Sequence, residues 1–183
     1  MASVTGIRQY TTPWVETKYY TGLNINSTPS SRTGWAVGST AATRFDTELQ
    51  IGSVVIIDPN DNGDGRAVGE CVTRPQSSHL LADAYVVVSL DPACNDVVDT
   101  STNQRRGGAV GVVRLASAIP AVVKANATIY GALTITNATF CLSALSDSSI
   151  DTIAEQRLCK AIALETADTS STPAVKRVCF GTT

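Results

Sequence analysis

The feature that most constrains this chain is the rhythm of residues 47–183: short runs of Val, Ile, Leu and Ala, each closed by Gly, Pro, Asn or Asp within roughly 8–12 residues. LQIGSVVIID, AVGECV, AYVVVSL, ATFCLSAL, CKAIALETA and AVKRVCF all follow it, and AVGVVRLASAIPAVVKANATIYGALTIT divides into further short strands at Pro120, Asn126 and Gly131. β-Branched side chains are stiff at χ1 and suit pleated backbone. Only SSIDTIAEQRL carries a helical period, with Ile150, Ile153, Ala154 and Leu158 on one face and Ser148 or Ser149 as N-cap. Many short strands with one small helix predict an all-β fold, a small β-barrel or sandwich. A chain of 183 residues buries roughly 70% of its unfolded surface, enough for one good core.

Between the first two of these strands lies DPNDNGDGRAVGE, Asp58 to Glu70, which resembles a calcium loop. Asp58, Asn60, Asn62 and Asp64 fall at EF-hand positions 1, 3, 5 and 7, yet position 12 is Gly69 instead of the bidentate acid, and the flanks are strand-like. Asn62-Gly63 and Asp64-Gly65 tolerate positive φ, so the segment is expected to be the tip of a β-hairpin, with those four residues as weak metal candidates.

Residues 1–46 differ from the body at 47–183. They show no sustained period, contain Pro13 and Pro29, and are rich in Ser, Thr and Gly, yet hold five of the seven Trp and Tyr residues: Tyr10, Trp14, Tyr19, Tyr20 and Trp35. Disordered tails are depleted in such side chains. Two readings follow: an extended N-terminal arm whose aromatics dock on a neighbouring subunit or another protein, or an irregular segment wrapping its own core.

Charged residues make up 16% of the chain, with a net charge of -2, against about 25% charged residues in an average domain. A surface of this kind argues against nucleic acid as a partner. Lysines are few, namely Lys18, Lys124, Lys160 and Lys176, as in protein–protein contact areas. The apolar runs are too short for a membrane span, and the start MASVTGIRQYTT has no apolar core of a signal peptide. Cys71, Cys94, Cys141, Cys159 and Cys179 are odd in number and have no C-x-x-C spacing; they are expected to be reduced thiols of a protein made in a cytoplasm.

Catalytic signals are sparse. His79 is the one histidine, and Ser77 or Ser78 with Asp83 lacks a nucleophile elbow, so a solvated loop histidine is expected. No phosphate loop, dinucleotide fingerprint or His/Cys metal spacing occurs, and Arg105-Arg106-Gly107-Gly108 is expected to be a loop end. The expectation is a protein without enzymatic activity or cofactor.

The last 75 or so residues carry a more specific pattern. A valine-alternating strand, AVGVV, leads to Ala125, Ile129, Gly131 and Leu133; a later strand carries Ala161, Ala163, Leu164, Glu165 and Ala167, followed by AVKRVCF. Together with LQIGSVVIIDPNDNGDGRAVGECV upstream, this resembles the capsid cement, or head decoration, proteins of tailed bacteriophages. The chain departs from that pattern at Ala161, where the family usually has glycine, and in its longer 91–108 loop. The resemblance implies a virion protein on the outer surface of the assembled head, made in the host cytoplasm. It implies a homotrimer that binds the major capsid protein and stabilises the shell. Two alternatives stay open: another virion β-structure such as a tail, collar or fibre part, and a calcium-dependent carbohydrate-binding module using the 58–65 loop.

Overall fold

The computed structural model describes residues 14–21, 48–58, 69–76, 80–99, 104–136, 139–145 and 157–181. Its strands are β1 (Val15–Tyr20), β2 (Val54–Ile57), β3 (Cys71–Thr73), β4 (Ala84–Leu90), β5 (Val97–Asp99), β6 (Gln104–Arg105), β7 (Gly108–Val113), β8 (Ala116–Val123), β9 (Asn126–Ala127), β10 (Ala132–Ile135), β11 (Leu142–Ala144), β12 (Ala161–Ala163), β13 (Ala167–Asp168) and β14 (Ala174–Phe180). The chain is an all-β protein built from small closed barrels.

One barrel is the ring β1-β3-β2-β4-β7 and the other the ring β10-β11-β8-β14-β12. Lettering the strands of each barrel a to e in chain order, both rings run a-c-b-d-e and back to a. In both, a and c are parallel and every other pair is antiparallel. The chain therefore builds one topology twice. Closure pairs the edges that an open five-stranded sheet would leave exposed.

Register explains which residues face inward. In the first barrel Val55 lies opposite Tyr85, Val87 opposite Val112, and Tyr20 opposite Val72; all six are buried and form one cluster with Val110 and Phe140. The alternate positions Thr17 and Ala109 are exposed, so they face out. In the second barrel Val123, Leu142, Ile135, Leu133, Ala161 and Phe180 follow one another around the ring in register and are buried.

The run VVII of β2 has apolar residues on both faces for a physical reason. Val55 points into the first barrel, while Val54 and Ile56, with Val86 and Val113, belong to the cluster that continues into the second. A strand buried on both sides reads as a continuous apolar run.

Several links among the described residues lock the barrels together. Gly52, at φ +90°, donates its N–H to the Val87 carbonyl and accepts from the Val122 N–H, each at 2.8 Å. The Val54 N–H donates to the Phe140 carbonyl at 2.7 Å, and the Phe140 ring enters the first barrel's core beside Tyr20, with ring centroids 6.1 Å apart and planes at 69°. Finally, Arg114 and Leu115 alone join β7 to β8.

Several expectations change here. Residues 15–20, placed by sequence in an irregular arm, form β1, which pairs with β7 along its whole length and with β3 at its end. The long loop at 91–108 contains a 3-10 turn at Pro92–Asn95, capped by the Asp91 side chain at 2.9 Å, and the small β5-β6 ladder. β2 and β3 do pair antiparallel, as the hairpin reading requires, and its tip at 59–68 lies outside the described residues. Of the expected helix only Arg157 and Leu158 are described, and both are helical.

Candidate interaction surface

The aromatics of the N-terminal stretch separate into different roles. Tyr20 is fully buried and edge-on to Phe140, so it is a core residue and is corrected from its expected place in a contact set. Tyr19 is half-buried, its N–H donating to the Glu70 carbonyl at 2.9 Å. Trp14 is 83% exposed. Tyr10 and Trp35 lie outside the described residues.

Alternation along β1 accounts for the split. Glu16, Lys18 and Tyr20 share the inward face, opposite Val112, Val110 and Gly108. Lys18 survives there because it is multiply engaged: an ion pair to Glu16 at 3.1 Å, a hydrogen bond to the Gly69 carbonyl at 2.9 Å, and a position 5.9 Å from the centre of the Tyr85 ring. Burial, followed by the Glu16 carboxylate, pushes the Tyr85 phenol up from its ordinary value. The ladder ends where Val15 meets Val113, so Trp14 leaves the barrel at the end where Arg114 and Leu115 turn the chain into β8.

Other large apolar side chains are exposed as well. Ile129 and Tyr130 are 49% and 74% exposed on the turn after β9, and Tyr130 has φ +65°, a left-handed conformation that bulky residues rarely adopt. The turn is held by the Tyr130 N–H on the Ala163 carbonyl at 2.7 Å and the Gly131 N–H on the Thr128 carbonyl at 2.9 Å.

At the barrel junction lies a cleft of about 610 Å³ lined by residues from four separate segments, among them Leu81, Asp83, Arg114, Leu115, Arg157 and Lys160. Arg114 and Asp83 form an exposed ion pair at 3.1 Å. Lys160 is buried; its ammonium donates to the Ala82 carbonyl at 2.9 Å and to the Arg157 carbonyl. Burial pulls its pKa down, and Asp83 acts in the opposite direction. Gly181 closes one wall at φ +80°: an added Cβ there would overlap the Arg114 carbonyl and Leu115.

Asp58, first of the weak metal candidates, is buried, its N–H donating to the Cys71 carbonyl at 2.9 Å; Asn60, Asn62 and Asp64 lie outside the described residues, as do Ser77, Ser78 and His79. Among the described residues no three His, Cys, Asp or Glu side chains come together as metal ligands. Arg105 ends β6 and Gly108 begins β7, so the Arg-Gly tract joins two strands. None of the five cysteines is in a disulfide: Cys71, Cys94 and Cys141 are buried, Cys159 and Cys179 half-buried.

Sequence reasoning missed the cleft because its parts are far apart in the chain; the one signal in the sequence is Cys-Lys at the start of an apolar strand, where a lysine is out of place. No protein-family model matches the chain, and no curated protein sequence matches it.

Proposed function

We propose that this protein is a capsid decoration protein that binds the outer surface of an assembled phage head and ties neighbouring major capsid protein subunits together. The observation that carries the reading is a tryptophan, Trp14, left 83% exposed immediately before a strand that is itself stitched into a closed barrel. Exposed Trp and Tyr on a rigid support are what interface anchors are made of. The Ile129–Tyr130 turn supplies a second such point. The resemblance of residues 47–183 to head decoration proteins points the same way.

Function in this reading is mechanical. Closed barrels have no strand edge on which to polymerise, so contact is made by side chains. Assembly as a homotrimer repeats each weak contact three times around one axis, and effective concentration turns modest affinities into firm attachment. Each added patch of buried area raises the force needed to separate the subunits beneath it.

The test is co-sedimentation with expanded, empty heads, and the structure decides which truncation to use. Deleting residues 1–21 removes β1 and opens the first barrel, whereas deleting residues 1–13 leaves β1 in place. The chain lacking 1–13 and carrying Trp14→Ala is expected to stay folded and to attach at least about tenfold more weakly, as for the loss of one interface anchor. Saturation of heads at unchanged affinity refutes the reading. Light scattering on the intact chain is expected to give three times 19.1 kDa, and a clean monomer removes the trimer from the proposal.

A further inference from the structure

The cleft at the barrel junction is not used by the capsid reading. Its charged lining is three cations, Arg114, Arg157 and Lys160, against one carboxylate, Asp83. Its apolar lining includes Leu81, Leu115 and Phe180. We propose that this cleft receives an acidic side chain carried on an apolar segment of a protein partner, the carboxylate meeting Lys160 and Arg157 and the flanking aliphatic groups covering Leu81 and Leu115.

Lys160 is the central observation. Only 8% of it is exposed, and lysines buried to that degree are ordinarily paired with an acid. An ammonium carries three donors. Two of those of Lys160 are taken by the carbonyls of Ala82 and Arg157, which leaves one without a partner among the described residues. The acid of the cleft, Asp83, is engaged by Arg114 at 3.1 Å. The lowered pKa of Lys160 has the same cause, a desolvated charge without a full counter-charge. A carboxylate entering the cleft supplies both the acceptor and the charge.

The apolar rim selects the carrier. Leu81 and Leu115, which line the cleft with the charged groups, are 51% and 54% exposed. A free small acid would leave both in water, whereas the aliphatic flanks of a peptide cover them. A volume of about 610 Å³ also exceeds the needs of one carboxylate group and lies in the range of sites that hold a side chain with its neighbours. Charge complementarity then sets which segments are accepted.

The test uses the intact chain, ¹⁵N-labelled, titrated with the blocked peptide acetyl-Leu-Glu-Leu-amide. Saturable shifts are expected at the amides of Leu81, Arg114, Lys160 and Gly181. The peptide with Gln in place of Glu is expected to bind at least about tenfold more weakly, the loss of one charge-assisted hydrogen bond. A variant with Arg114→Gln and Arg157→Gln, both exposed positions, is expected to keep its melting temperature within a few degrees and to lose a similar factor toward the Glu peptide. Equal binding of the Glu and Gln peptides, or no saturable shift in the cleft, overturns the proposal. Sodium glutarate binding as tightly as the peptide also overturns it, by assigning the cleft to a small free acid. No capsid is present in any arm, so this outcome is independent of whether the chain decorates heads.

Discussion

Replacing Tyr20 by alanine and, separately, Trp14 by alanine sets two aromatics of one short stretch against each other. Tyr20 is fully buried in the first barrel, opposite Val72 and edge-on to Phe140 at 6.1 Å. Deleting a buried aromatic ring typically costs about 3–5 kcal/mol through lost transfer energy and the cavity left behind. About 0.5–1.5 kcal/mol of this belongs to the aromatic pair. We take about 4 kcal/mol for Tyr20→Ala. With a urea slope of about 2.5 kcal/mol/M, the unfolding midpoint falls by about 1.6 M. Trp14, 83% exposed, is expected to change stability by no more than about 0.5 kcal/mol. Equilibrium urea unfolding followed by far-UV circular dichroism reads both. A cycle with Phe140→Ala is expected to show a coupling of about 0.5–1.5 kcal/mol with Tyr20→Ala. If Tyr20→Ala costs less than about 1 kcal/mol, or if the two single variants are equally destabilised, the burial argument is wrong and the N-terminal aromatics act alike.

Two further outcomes follow from the backbone and from titration. Gly181→Ala is expected to cost more than about 2 kcal/mol, about 1–2 kcal/mol from left-handed strain and the rest from overlap with the Arg114 carbonyl. Gly69→Ala, at φ +94° with nothing within 4 Å of the added Cβ, carries only the strain, so equal costs for the two would remove the overlap from the account. Tyr85 keeps its proton in the folded state at pH values where the unfolded chain loses it, because burial raises its pKa above 10.0. The native state then binds more protons, and stability falls as pH rises past about 10. The wild type is therefore expected to lose stability relative to Tyr85→Phe between about pH 9.5 and 11, measured as paired urea midpoints. Cys94, also raised by burial, acts in the same direction from 9.0, and Lys160, lowered by burial from 10.5, acts in the opposite one; both are common to the two proteins and cancel in the difference. A constant difference across that range refutes the assignment.

Residues whose signal is local were legible in the sequence. AYVVVSL became β4, AVKRVCF became β14, and the strands flanking Asp58 and Glu70 pair antiparallel as their β-branched runs and turn chemistry require. β1 was not legible. Its inward face is Glu16, Lys18 and Tyr20, and two charges on that face erase the apolar alternation by which a strand is recognised. What satisfies them is the Glu16–Lys18 ion pair, the Gly69 carbonyl and the Tyr85 ring, and the last two come from distant parts of the chain.

The sequence by itself determined that the chain is all-β with short strands, because β-branched content, period-two alternation and turn residues act over a few neighbouring positions. Tertiary structure alone decided the rest: that the strands close into two barrels of the same topology, that Tyr20 is core while Trp14 is surface, and that Lys160 is buried in a cleft between the barrels. Closure and burial depend on which distant segments meet, as when Gly52 joins β4 to β8 or Phe140 enters the first barrel. No short window of sequence contains both partners of such a contact.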